Sequence, residues 1–241
     1  GNKMLDTKLL ERRIQYRNFY KDKYPTREKI EEIIQEAVNV SPLTTEIRDL
    51  IIDIYGPEHE EVKHDFMYTA VTTKEYKKSD QLRYGTFVSD DAWIESAKEH
   101  YKTHPHKFNR QLEAPYLLAL RWATGNLPFS QKFIIFQAVG ILGYALTLAA
   151  NRHEIDSAFC RCYGGSSFLN VKENNLVKES ETKPMLFIGM GYYNFDEKSL
   201  FKRDGDWIEH EEKGGRYNIV TRERDGYKKN KPTMDRMINW K

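Results

Sequence analysis

Apolar residues recur along this chain with two different periods, and the switches between them mark its elements. Ile30, Ile33, Ile34, Ala37 and Val38 fall at i, i+3, i+4, i+7 and i+8, the stripe of a helix packed on a core. Thr26, after Pro25, can cap that helix through its hydroxyl. Ser41-Pro42 stops it, because a residue before proline is pushed out of the α region. Leu5, Leu9, Leu10 and Ile14 predict an earlier helix over residues 5–20.

The period then changes. Leu50-Ile51-Ile52-Asp53-Ile54-Tyr55 is β-branched and ends at Gly56-Pro57, a strand and turn. Helices are expected over 58–71 and 90–101, with a polar stretch of no clear period over 72–90 between them. Ala114-Pro115 opens a mostly apolar strand to Arg121. Phe129 to Ala150 is a helix that is apolar almost all round. Its uninterrupted apolar run, from Ala138, is too short for a bilayer, so a central buried helix is expected, with Gly140 and Gly143 admitting a close neighbour. Strands follow over 155–163 and 184–192, and residues 196–231 are charged and irregular. Interleaved helices and strands with uneven connections argue for an α+β sandwich, its mixed sheet flanked by helices, rather than a regular doubly wound fold. A single domain over 1–241 is expected, with a surface excursion around 196–228.

Charge narrows the partners. The 241 residues carry 38 basic and 36 acidic side chains, so nothing pulls the chain globally toward nucleic acid or an anionic membrane, and an anion site must be local. Two cysteines, Cys160 and Cys162, are too few for a disulfide framework; they read as buried structural thiols in a reducing, cytoplasmic compartment.

The familiar catalytic patterns fail their context tests. His100, His104 and His106 span Pro105, which breaks the helix that would align them, and no second cluster completes a metal site. Gly189-x-Gly191 follows a strand, but it lacks the third glycine and a helix start, so a dinucleotide fingerprint is excluded. Acidic pairs such as Asp90-Asp91 read as solvated helix faces. No catalytic acid, base or nucleophile stands out.

Several short segments in a fixed order do stand out. They are Arg13-x-Gln15-x-Arg17-x-Phe19, Ser41-Pro42-Leu43-Thr44-Thr45-Glu46, Asn109 ahead of Ala114-Pro115, Tyr163-Gly164-Gly165, and Lys229-x-Lys231-Pro232. Together, with the long apolar helix, they resemble the FMN-dependent nitroreductase family. Gln15 stands where the family has serine, Leu43 replaces a serine of S-P-S-x-x-N, and Glu46 replaces its asparagine.

The resemblance implies a nitroreductase-like three-layer sandwich, its sheet mainly antiparallel. It implies a homodimer with two FMN sites at the subunit interface. Arg13, Gln15 and Arg17 are expected at the phosphate and ribityl chain, completed by Lys229 and Lys231. Pro42, Leu43, Thr44 and Glu46 are expected to reach the flavin of the other subunit, and Asn109 the flavin edge. The backbone of Tyr163, Gly164 and Gly165 is expected to face flavin N5, where glycine permits close approach. The implied reaction is ping-pong, with NADH or NADPH reducing FMN and a nitro, quinone or related small-molecule acceptor taking the electrons. A second reading keeps the fold as a catalytically weak or inactive binding or scaffold protein, and the three substitutions favour it.

Overall fold

The computed structural model describes residues 16, 18–43, 47–69, 91–103, 105, 108–122, 129–160, 184–194, 201–203 and 206–208. The chain divides into two compact units, Gly1–Asn194 and Phe195–Lys241.

In the first unit the predicted amphipathic stripe becomes helix α1, Arg27–Val40. Thr26 Oγ1 accepts from Lys29 N at 3.3 Å and caps its start, while Ser41 N donates to Ala37 O at its end. Ile30, Ile33 and Ala37 are buried, with Ile34 and Val38 packed against the same cluster. Strand β1, Leu50–Tyr55, follows. A single 3-10 turn at Pro57–His59 leads into helix α2, Glu60–Thr69. Helix α3 is Asp91–Thr103. A further 3-10 turn, Arg110–Glu113, leads to strand β2, Tyr116–Trp122. Helix α4, Phe129–Arg152, strand β3, Asp156–Cys160, and strand β4, Leu186–Gly191, are the remaining elements among the described residues of this unit.

The strands form one sheet in the order β1-β2-β4-β3, with every described pairing antiparallel. Alternation sorts the side chains by face. Leu118, Leu120, Leu186, Ile188 and Met190 point to one side, under α1 and α4. Leu117, Ala119, Cys160 and Phe187 point to the other, under α2 and α3. The unit is therefore an α+β sandwich of three layers. Gly143 serves as expected: a Cβ there would lie 2.4 Å from Leu186 Cδ2, so α4 rests closely on β4.

Three expectations need correction. The helix expected over 5–20 does not reach its end: Tyr16 and Asn18–Tyr20 are not helical, and residues 5–15 lie outside the described residues. Phe19 instead bridges Tyr193, with Tyr20 N donating to Tyr192 O and Asn194 N to Asn18 O. The cause is long-range pairing: the Phe19–Tyr193 bridge and its flanking hydrogen bonds override the local helical spacing, and Tyr16 packs on Tyr193 with ring centroids 5.0 Å apart. Helix α4 is buried on one side only. Ile135, Val139, Leu142 and Leu146 lie inside, while Phe133, Ile134, Phe136, Ile141 and Tyr144 are exposed. By length and composition Phe133–Arg152 could cross a membrane, yet half of it is buried against the chain's own residues. In the second unit, the stretch read as irregular contains a hairpin, β5 (Phe201–Arg203) with β6 (Asp206–Ile208). Its strands are too short for alternation to show.

Candidate functional site

Most of the expected site falls on Arg13, Gln15, Arg17, Thr44, Glu46, Tyr163, Gly164, Gly165, Lys229 and Lys231, which lie outside the described residues. Pro42, Leu43 and Asn109 are described, as are the neighbours of several others.

The register fixes where these segments meet the sheet. Leu50 pairs with Trp122, Leu120 with Leu186, and Phe187 with Cys160. The start of β1 and the end of β3 thus share one end of the sheet. Pro42 and Leu43 precede β1, and the chain passes Cys160 toward Tyr163. Phe19 bridges Tyr193, beyond the opposite end of β4. The neighbours of Arg17 are therefore separated from the start of β1 by about one strand length, roughly 17 Å. Asn18–Tyr20 and the start of β1 thus lie at opposite ends of the sheet.

Pro42 is exposed and Leu43 half-buried. Ser41 Oγ accepts from Leu43 N at 3.2 Å, so the Ser-Pro-Leu turn closes on itself. Asn109 sits differently: it is 4% exposed, and its Nδ2 donates to Cys160 Sγ at 3.7 Å. The structure thus brings Asn109 onto the strand end that continues to Tyr163. At the opposite end of the sheet is Asn18, beside Arg17 in sequence; it is 1% exposed, and among the described residues neither its Oδ1 nor its Nδ2 has a hydrogen-bond partner.

Around Asn109 lies a polar centre that periodicity did not reveal. Glu113, buried at the end of the Arg110–Glu113 turn, takes Arg110 Nε at 2.6 Å on Oε1 and Tyr101 Oη at 2.7 Å on Oε2. His64 Nε2 lies 3.2 Å and Lys21 Nζ 3.6 Å from Oε2. Burial alone would raise the Glu113 carboxyl, but its contact with His64, the Arg110 and Lys21 charges and the Tyr101 hydroxyl more than reverse this and hold it at about 2. Burial and the Glu113 charge push the Tyr101 phenol up. Lys63, 2% exposed on α2, donates to Ala114 O at 2.9 Å and Pro115 O at 2.8 Å. Burial pushes its ammonium down to about 8, against the pull of Glu60 and Glu58. The one signal in the sequence was a charged pair, Arg110 and Glu113, three residues apart just before an apolar strand. Among the described residues no group of three or more His, Cys, Asp or Glu side chains is arranged to hold a metal.

No protein-family model and no curated protein matches the chain. Solved structures do. A mutant of an FMN and NADPH-dependent nitroreductase derived from Sphigopyxis sp. strain HMH matches with a TM-score of 0.57 at 13% identity, over 98% of this chain and 98% of that one. A nitroreductase family protein from Clostridium difficile 630 matches at 0.54 and 12%, over 99% of each. A nitroreductase with bound FMN from Bacteroides fragilis NCTC 9343 matches at 0.51 and 14%, over 79% of this chain and 89% of that one. The chain has the nitroreductase-like α+β fold.

Proposed function

We propose that this chain is an FMN-dependent NAD(P)H oxidoreductase, cytoplasmic and homodimeric, that reduces a nitro, quinone or related small-molecule acceptor. The observation that carries the reading is the shared fold: structures described as nitroreductases, one FMN and NADPH-dependent, are matched over 98–99% of both chains. The ordered segments from Arg13 to Lys231 give that fold the residues for a flavin.

Asn18 supports a polar ligand here: it carries a buried donor and acceptor that no described residue pairs. An unmade buried hydrogen bond costs about 1–3 kcal/mol, so a polar partner beyond the described residues is favoured there. When bound, FMN would supply hydride transfer from NAD(P)H to the acceptor in two half-reactions. The protein's share is binding and orientation. Arg13 would grip two phosphate oxygens through its fork, and Lys229 and Lys231 would add point charges. Arg17 and Gln15 would hold the ribityl chain, Asn109 would stand near the ring, and the backbone of Tyr163, Gly164 and Gly165 would receive the reactive edge.

One feature supports the second copy. Helix α4 exposes Phe133, Ile134, Phe136, Ile141 and Tyr144, and Gly140 beside them has room for a Cβ with nothing within 4 Å. A partner's α4 would cover this stripe, with Pro42, Leu43, Thr44 and Glu46 of each chain completing the other's site.

The reading is tested by titrating FMN and riboflavin against wild type and Arg13→Ala. A hydrogen bond to a charged group is worth about 1.5–3 kcal/mol, so Arg13→Ala weakens FMN roughly ten- to a hundredfold. Riboflavin, which lacks the phosphate, binds wild type poorly and is indifferent to the change. Equal losses for both flavins would assign Arg13 to the fold instead.

A scaffold protein without turnover is the second reading. Besides Gln15, Leu43 and Glu46, one contact favours it: the Leu43 N–H is already taken by Ser41 Oγ and is not offered to a ligand. A purified protein that is colourless and stays so with added FMN decides for the scaffold.

A further inference from the structure

Glu113 is the meeting point of separate segments. His64 comes from α2, Tyr101 from α3, Lys21 from the extended N-terminal segment, and Arg110 from the turn that Glu113 itself ends. A chain of charge runs inward through it, from Lys21 and Glu60, paired at 3.2 Å on the surface, to the buried Arg110. Lys21 follows Tyr20, whose N–H pairs with Tyr192.

The turn so held is packed hard on the sheet. Gln111 Nε2 donates to Phe159 O at 3.1 Å, and a Cβ on Gly189 would lie 2.1 Å from Gln111 O. Asn109, at the start of the turn, touches the Cys160 thiol. A shift of the turn must therefore move Asn109 relative to the end of β3. Lys63 fixes the exit of the turn through Ala114 O and Pro115 O, but nothing it touches holds the entry. Arg110, next to Asn109, is held there by Glu113.

We propose that Glu113 is a positioning residue: its carboxylate locks the Arg110–Glu113 turn, and with it sets Asn109 against Cys160 where β3 leaves the sheet toward Tyr163. Its consequence for flavin rests on the functional reading above; its effect on Cys160 does not. The resemblance assigns Glu113 no role. Substitution by glutamine keeps the size and an acceptor for Tyr101, yet removes the charge that Arg110, Lys21 and His64 face.

The test reads both levels. Cys162 is first replaced by serine, so that a thiol-reactive disulfide reagent reports Cys160 alone. In the flavin-free protein Cys160, 3% exposed, labels slowly. Glu113→Gln raises the labelling rate about tenfold or more, and Tyr101→Phe, which removes one hydrogen bond, raises it severalfold. Tyr101→Phe also serves if Glu113→Gln does not fold. Asp53→Asn is the control. It breaks the Asp53–Arg121 pair between β1 and β2, away from the turn, and leaves the labelling rate unchanged. Unchanged labelling in both test variants overturns the proposal. So does equal acceleration by Asp53→Asn at the same thermal stability, which would mark general loosening.

With flavin, Glu113→Gln weakens FMN and riboflavin by the same factor, because the displaced group is on the ring side. A loss confined to FMN would place the effect at the phosphate and overturn the link to Asn109. If wild type binds neither flavin, the functional reading falls, while the labelling result still decides whether Glu113 sets the turn.

Discussion

Gly189 and the backbone of Gln111 occupy adjoining space: a Cβ on the glycine would stand 2.1 Å from Gln111 O. Gly189 lies on β4, paired with Leu117 on one side and Ala158 on the other, so it cannot retreat without breaking the sheet. The obstacle is a carbonyl held in a 3-10 turn, not a side chain that can rotate. Gly189→Ala is therefore expected to destabilise the protein by about 3 kcal/mol. A urea midpoint equal to that of wild type would show that the turn yields freely.

The exposed side of α4 gives a prediction of opposite character. Ile141 is 43% exposed, and Gly140 beside it is open. In a lone chain Ile141→Asp costs little, because the side chain already meets water. In the proposed dimer it puts a charge into an apolar interface, and sedimentation at micromolar concentration then shifts from two chains to one. Gly140→Ala separates the effects further. Helix propensity favours alanine by about 1 kcal/mol, so the helix gains while a close helix–helix approach loses. A chain that is monomeric as wild type ends the dimer proposal.

Local pattern made much of the first unit legible. Helix α1 was readable because Ile30, Ile33 and Ala37 repeat at helical spacing behind a capping Thr26, and β4 because its apolar run is bounded by Pro184. Asn18–Tyr20 was not, because its state depends on pairing with Tyr192–Asn194, far along the chain. The one-sided burial of α4 was hidden by a sequence apolar on both faces. Gly189-x-Gly191 was set aside as a dinucleotide fingerprint without a role in its place, and the turn packed on it explains the first glycine. Of the expected site, the structure locates Pro42, Leu43 and Asn109. The Glu113 centre escaped because its partners Lys21, His64 and Tyr101 are distant in sequence and share no spacing.

Lys63 predicts a rise of stability in alkali. Its folded-state ammonium is held at about 8 by burial, below the 10.5 of a free lysine. Between those values the unfolded chain binds a proton that the folded chain has released, so stability climbs with pH. The cost of burying the charge is full below about pH 8. Lys63→Met removes the titrating group while leaving Ala114 O and Pro115 O without their donor. Its stability at pH 7 is expected to fall by about 1–3 kcal/mol. The difference in unfolding slope, read by denaturant melts from pH 8 to 10, should approach one proton. A wild-type slope no steeper than that of the variant would show that Lys63 does not titrate there.

Glu113 predicts the mirror image in acid. Its carboxyl is held at about 2 in the folded protein, against a usual 4.5. Above 4.5 both states are ionised and the stabilisation from Arg110, Lys21, His64 and Tyr101 is complete. As pH falls from 4.5 toward 2, the unfolded chain takes up a proton that the folded chain refuses, and stability drops. A shift of this size corresponds to roughly 3 kcal/mol, lost across that window. Glu113→Gln has no proton to take up, so it is less stable than wild type at pH 6 and loses less on acidification. The two unfolding curves should therefore converge as pH approaches 3. Curves that stay parallel from pH 6 to 3 would mean that Glu113 is not held charged by its neighbours.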